Sequence, residues 1–235
     1  MSHELKTPFN GIMGYLEILK HTNPSEYQKE IIDQVMKSFN QVLDVYDKTL
    51  DITKISSGSI KIKNNEINLE KILRDTVSNV LEQYDKNLDV NVNYDDDMQK
   101  LFLGDKYYVG KIIYNVVDNA IKFTEQGSVE LNIHTGQEYE NYLECFIDVK
   151  DTGVGILKDK QECIFEKLTQ ADESNVKKYG GMGLGLTISK ELSERMGGYI
   201  NVKSEYEQGS LFRICLKLNK NNLNLKESES NNYVI

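Results

Sequence analysis

Cysteine, proline and long apolar runs are scarce in this sequence, and each scarcity closes off a class of protein. Three cysteines, Cys145, Cys163 and Cys215, are spread over 235 residues without a CxxC pair. So sparse and odd a set offers neither a disulfide framework nor a zinc cluster. It suits a reducing compartment in which buried thiols behave as small apolar groups. No basic, apolar leader opens the chain, so a cytoplasmic location is expected. Runs such as Ile112-Ile113 and Val116-Val117 break within a few residues, far short of the roughly 20 apolar residues that a membrane-spanning helix needs. Basic residues are in deficit: 28 Lys and Arg against 37 Asp and Glu leave a net charge of −9, with no basic block. Phosphate-backbone binding is thereby disfavoured as a main activity, and no membrane crossing is encoded.

What is present is an ordinary globular composition, 39% hydrophobic and 28% charged, in a chain long enough to bury a core. Both prolines, Pro8 and Pro24, are punctuation. Pro24, within His21-Thr-Asn-Pro-Ser25, separates two stretches of helical spacing, with Asn23 expected as N-cap and Pro24 in the first turn. Leu5, Phe9, Ile12, Leu16 and Leu19 line the first stretch; Ile32, Val35, Phe39, Val42 and Tyr46 line the second, over 25–57. This is a helical hairpin whose second arm is about two turns the longer. The chain is therefore expected to begin inside a helix, with its upstream part missing.

After Ser56-Ser57-Gly58-Ser59 the spacing changes to alternation, and Ile60-Lys-Ile62-Lys predicts a strand and a domain boundary. Helices are predicted over 69–83, 106–123 and 184–196, the last stopped by Gly197-Gly198. Strands are predicted over 88–94, 128–135, 142–150, 199–204 and 210–218, with a turn around Gly136-Gln137. The fold class is α+β, a helical hairpin followed by an α/β sandwich. The units are 1–58, 59–219 and a polar tail over 220–235 that is expected to be disordered.

Three stretches carry chemistry. Asp151-Thr-Gly153-Val-Gly155 follows an alternating strand, placing a carboxylate at the strand end and glycines where a ligand must approach the backbone. Such a carboxylate accepts from the exocyclic amine of adenine, which guanine lacks at that position. From these residues alone an ordinary glycine turn reads equally well. Gly180-Gly-Met-Gly183-Leu-Gly185 opens a helix whose amides and dipole suit a phosphate chain, although glycines there also mean simple flexibility. It is no Walker loop, because no Gly-Lys-Ser or Gly-Lys-Thr closes it. Asn115, Asn119 and Lys122 fall at i, i+4 and i+7 on one helix among Ile112, Ile113 and Val116. Amides on so apolar a helix call for a polar partner. Neutral oxygens suit a hydrated Mg²⁺, and Lys122 suits a phosphate.

With these residues in hand the resemblance becomes specific. Ser2-His-Glu-Leu-Lys-Thr-Pro8 resembles the H box of sensor histidine kinases, 115–124 (NVVDNAIKFT) their N box, and 151–155 their G1 box. Ile164-Phe-Glu-Lys-Leu-Thr-Gln170 resembles the F box, and Lys178-Tyr-Gly-Gly-Met-Gly-Leu-Gly-Leu186 the G2 box. All stand in the family order. The resemblance implies a dimerisation and phosphoacceptor hairpin that forms a four-helix bundle with a second copy, then a Bergerat-type ATP-binding domain. It implies ATP and Mg²⁺ as cofactors, His3 as phosphoacceptor, Glu4 as neighbouring base, Asn119 as principal Mg²⁺ ligand with Asn115 beside it, and Asp151 as adenine reader. Gly153, Gly155, Gly181, Gly183 and Gly185 would shape the nucleotide site. Lys122 and Lys178 would meet phosphates, and Phe165 would help hold a lid over 166–181. The phosphoryl group would pass to an Asp of a response-regulator receiver domain. Thr7, one turn after His3, stands where bifunctional members carry a polar residue, so a phosphatase activity is expected.

Asn115 replaces the glutamate that activates water in hydrolytic relatives of this fold, so direct ATP hydrolysis is expected to be slow. Leu168 and Met182 depart from the family pattern, where an aromatic and a Thr or Ser are common; His21 and His134 sit in no motif. Two competing readings are a non-catalytic nucleotide-binding regulatory dimer and a Bergerat-fold ATPase clamp.

Overall fold

The computed structural model describes residues 2–95, 102–166 and 183–220, the side chains of 2–6 excepted. Its contacts gather into two units, residues 1–59 and those from 60 onward.

In the first unit α1 (Ser2–Lys20) pairs with α2 (Glu26–Ser56), and Phe9 meets the rings of Phe39 and Tyr46 edge-on at 5.3 and 6.0 Å. The N-cap of α2 is Ser25 rather than the expected Asn23. Ser25 Oγ accepts from Gln28 N at 3.3 Å and Gln28 Oε1 accepts from Ser25 N at 2.8 Å, a closed capping box. Asn23 instead turns the chain with φ 53°, and Pro24 precedes the helix instead of entering its first turn. An apolar stripe stays uncovered in the single chain: Ile12, Tyr15 and Ile18 on α1, and Ile31, Val35, Val42 and Val45 on α2, are exposed.

Among the described residues, the second unit is one seven-stranded sheet with three α-helices. Its elements are β1 (Asn65–Ile67), α3 (Leu69–Leu81), β2 (Asp89–Tyr94), β3 (Phe102–Gly104), α4 (Lys106–Phe123), β4 (Ser128–Glu138), β5 (Tyr142–Asp151), α5 (Gly185–Arg195), β6 (Tyr199–Glu205) and β7 (Gly209–Lys220). The strand order is β1-β3-β7-β5-β4-β2, with β6 also paired to β7. All pairs are antiparallel except β2 with β4. Leu131, Ile133, Ile147 and Ile214 from the strands and Leu73, Ile112, Ile113, Ile121, Ile188 and Leu192 from the helices are fully buried, so the core lies between the sheet and its helical layer.

Two further predictions fail for physical reasons. The Ile60–Lys63 alternation forms no strand: Lys63 N donates to the side chain of Asp105 at 2.9 Å instead of to a neighbouring strand, and pairing starts only at Asn65. Gly136 does not turn the chain. β4 runs on to Glu138 through a register shift, and a Cβ at Gly136 would lie 2.3 Å from the ring of Phe146, so glycine is required there by cross-strand packing. Cys145 and Cys215 are buried, and burial pushes the Cys145 thiol up to about 12, which leaves it protonated and inert. Among the described residues no helix is long and apolar enough to cross a membrane.

Candidate active site

The site is assembled around α4. Asp105 caps its start, accepting from Tyr107 N at 3.0 Å and Tyr108 N at 3.3 Å, so the expected 106–123 register is the observed one. That register sets Asn115, Asn119 and Lys122 on successive turns of one face. Asn115 is buried and spends both amide hydrogens, donating to Gly185 O at 3.0 Å and to Ser189 Oγ at 3.1 Å. It thereby ties α4 to the first turn of α5. A Cβ at Gly185 would stand 3.4 Å from Asn115 Oδ1, so the glycine permits this approach. Only the carbonyl oxygen of Asn115 is left over. The side chain of Asn119, one turn on and half-buried, makes no hydrogen bond with the described residues. The Lys122 ammonium lies 5.3 Å from the centre of the Phe123 ring.

At its far end α4 meets the glycine loop. Asp151 closes β5 and is buried, and its Oδ1 accepts from Gly153 N at 2.9 Å and from Ser210 N at 3.2 Å. Oδ2 accepts nothing from the described residues. No fully buried side-chain polar atom among them lacks a partner, so Oδ2 must open outward. Burial raises the Asp151 pKa, and the two backbone donors oppose that rise without cancelling it. Gly153 has no room for a side chain, since a Cβ would lie 2.4 Å from the Phe123 carbonyl. Gly155 has φ +66°, and its Cβ would strike Glu205 O at 2.0 Å. The loop is thus wedged between the end of α4 and the β6–β7 hairpin, where Val154 N donates to Phe123 O at 3.3 Å and Ile156 N to Ser204 Oγ at 2.7 Å.

The third wall is the start of α5. Gly183 has φ +66°, and the N-cap Leu184 offers no side-chain acceptor, so the first-turn amides are left for an anion. Phe165 ends a short 3-10 turn beneath the Lys190 ammonium, 5.9 Å from its ring centre, and Thr187 Oγ1 donates to Glu166 O at 3.0 Å. Lys178, Gly181, Leu168, Met182 and all of the expected lid beyond Glu166 lie outside the described residues. His3 and Glu4 fall in the first turn of α1, their side chains likewise outside; Thr7 follows one turn later and is exposed.

The chain matches two family models, the His Kinase A (phospho-acceptor) domain over 1–58 and the histidine kinase-, DNA gyrase B- and HSP90-like ATPase over 104–220. It belongs to the histidine kinases. Sensor protein GacS of Pseudomonas syringae pv. syringae is 36% identical over 97% of this kinase chain and 25% of its own length. Signal transduction histidine-protein kinase BarA of Escherichia coli (strain K12) is 33% identical over 94% of the chain and 24% of its own. Among solved structures, ShkA full-length in complex with AMPPNP superposes with a TM-score of 0.75 at 27% identity, covering 94% of the chain and 45% of ShkA. The kinase chain thus spans about a quarter of the length of these curated relatives.

Several residues of the kinase site gave no signal in the sequence. Ser189 and Ser210 hold Asn115 and Asp151 in place, yet look like ordinary helix and strand serines. Lys86 donates to three carbonyls at the end of α4 and stands in an unremarkable polar loop.

Proposed function

We propose that this chain is the catalytic core of an ATP-dependent protein-histidine kinase that phosphorylates its own His3 and passes the phosphoryl group to an Asp of a response-regulator receiver domain. One observation carries the reading. Asp151 has one carboxylate oxygen consumed by backbone amides and the other open, beside a helix whose Asn119 amide is unspent. Open Oδ2 accepts from the adenine amine, while the uncapped amides of α5 and Lys122 face the phosphates.

The donor set also fits Mg²⁺. The described residues contain no cluster of three or more His, Cys, Asp or Glu able to cage a metal. Neutral carboxamide oxygens from Asn119 and Asn115 suit an ion that keeps waters and takes most of its charge balance from phosphate oxygens. When bound, that ion neutralises charge on the phosphates.

In the transfer, a ring nitrogen of His3 forms a bond to the γ-phosphorus as the bond from that phosphorus to the β-bridging oxygen breaks. ADP departs, and Glu4 takes the proton that the ring loses. An imidazole with an unperturbed pKa of ~6.5 is largely neutral near pH 7, as a nucleophile must be. Asn115 holds no base, because it is a neutral amide with both hydrogens engaged, so water is not activated there. Thr7, exposed one turn after His3, is assigned to orienting water against the receiver's acyl phosphate. The uncovered stripe on α1 and α2 is assigned to pairing with a second copy of the chain.

Incubation with Mg²⁺ and γ-labelled ATP tests the reading. Acid-labile, base-stable label is expected on the wild type and absent from His3→Gln, and Asn119→Ala is expected to lose both label and nucleotide affinity while melting normally. Phosphate release that survives His3→Gln, with no phosphoprotein, would replace this reading with the ATPase clamp.

A further inference from the structure

The last turn of any α-helix leaves carbonyls without partners, and in α4 every one of them is accounted for. Thr124 Oγ1 donates to Ala120 O at 2.7 Å, and Val154 N donates to Phe123 O at 3.3 Å. The remaining work falls on one side chain. Lys86 Nζ donates to Ile121 O at 3.0 Å, Lys122 O at 2.8 Å and Thr124 O at 2.9 Å. Its three protons match three acceptors, and its charge sits at the negative end of the helix dipole.

Lys86 is not alone. It lies in the loop between α3 and β2, whose neighbouring residues grip the same helix higher up. Tyr84 Oη donates to Asp118 Oδ1 at 2.7 Å, and Tyr114 Oη donates to Gln83 Oε1 at 3.1 Å. Tyr114, Asp118 and Ile121 are spaced by four and three residues, so the loop runs along one flank of α4, beside the flank that carries Asn115, Asn119 and Lys122. The Lys86 ammonium also lies 5.6 Å from the centre of the Tyr84 ring, which links the two grips.

We infer that the 83–86 segment is a brace on the nucleotide helix and that Lys86 is a positioning residue for metal-bound ATP. It touches no substrate atom. It acts by fixing the last turn of α4, where Asn119 and Lys122 project and where Phe123 O meets the glycine loop. The inference rests on the nucleotide site proposed above. Asp151 itself is held through Gly153 and Ser210 rather than by α4, and the adenine end meets the braced turn only through Val154 N on Phe123 O, so the brace bears mainly on the phosphate and metal end of the site.

The test compares two probes on the full chain by calorimetry: a non-hydrolysable ATP analogue with Mg²⁺, and adenosine with EDTA. Lys86→Met is expected to weaken the first on the order of tenfold, the scale seen when support behind a metal site is removed, and to weaken the second much less. Lys86→Arg, which keeps charge and donors, should restore most of the loss. Tyr84→Phe, which keeps the ring but frees Asp118, should give the same pattern at smaller amplitude and serves if Lys86→Met does not fold. Equal losses for both probes, or none for the analogue, would overturn the brace. Wild-type protein that binds neither probe would overturn the nucleotide site itself, and the brace with it.

Discussion

Replacing Asp151 by Asn changes one atom of the site and separates binding from folding. In the native chain Oδ1 accepts from Gly153 N and Ser210 N, at 2.9 and 3.2 Å, while Oδ2 opens outward. Asn keeps an oxygen for the two amides and presents an NH₂ where Oδ2 stood. The acceptor for adenine's amine becomes a donor facing a donor. Loss of one charge-assisted hydrogen bond, together with that mismatch, amounts to ~2–3 kcal/mol, or roughly 30- to 150-fold in affinity. The fold should not suffer, since the charge whose burial raises the Asp151 pKa is removed while both backbone donors stay satisfied. Asp151→Ala should differ, because it strands two amides at about 1–3 kcal/mol each. Calorimetry with Mg²⁺ and a non-hydrolysable ATP analogue reads the first effect, and thermal melting reads the second. A purine bearing oxygen at the six position should lose less than adenine in Asp151→Asn, or gain. Affinity for the adenine analogue within twofold of wild type would refute the assignment of Asp151 as adenine reader.

Further outcomes follow from the same geometry. Because burial raises the Asp151 pKa, nucleotide affinity should fall on acidification with a midpoint above the ordinary aspartate value of ~4, and Asp151→Asn should flatten that profile. The linked stability runs the other way: a carboxyl whose folded pKa is raised favours folding at low pH, and that contribution is lost as pH rises through the folded value. Gly155→Ala, at φ +66° and with a Cβ 2.0 Å from Glu205 O, should cost at least about 2 kcal/mol in denaturant unfolding. Glutamates at Val35 and Val42, both exposed on the stripe of α2, should convert a sedimenting dimer to a monomer; a wild type already monomeric at micromolar concentration would contradict the pairing surface.

Much of this arrangement was legible beforehand, for identifiable reasons. The bounds of α4 could be read because Asp105 caps it locally and its apolar spacing is unbroken; β4 and β5 could be read because one face is buried and alternation must follow. Where local signals compete, the reading failed. Asn23 and Ser25 both suit a cap, and the choice fell to Ser25 because Gln28 stands three residues on to close the box. Ile60-Lys-Ile62-Lys alternates like a strand, but Lys63 N is taken by a side chain 42 residues away, which no local pattern announces. The motif residues Asn115, Asn119 and Asp151 could be picked out, yet their supports Ser189, Ser210 and Lys86 could not. Lys86 binds main-chain carbonyls 35 to 38 residues distant, and a carbonyl carries no sequence identity.

The most direct measurement is to locate the phosphoryl group itself, by mass spectrometry at neutral to basic pH after incubation with Mg²⁺ and ATP. One modified residue, His3, is expected, with the modification lost in acid. A phosphoryl group on any other side chain, or a fully unmodified His3 in protein that binds Mg²⁺ and ATP, would contradict it.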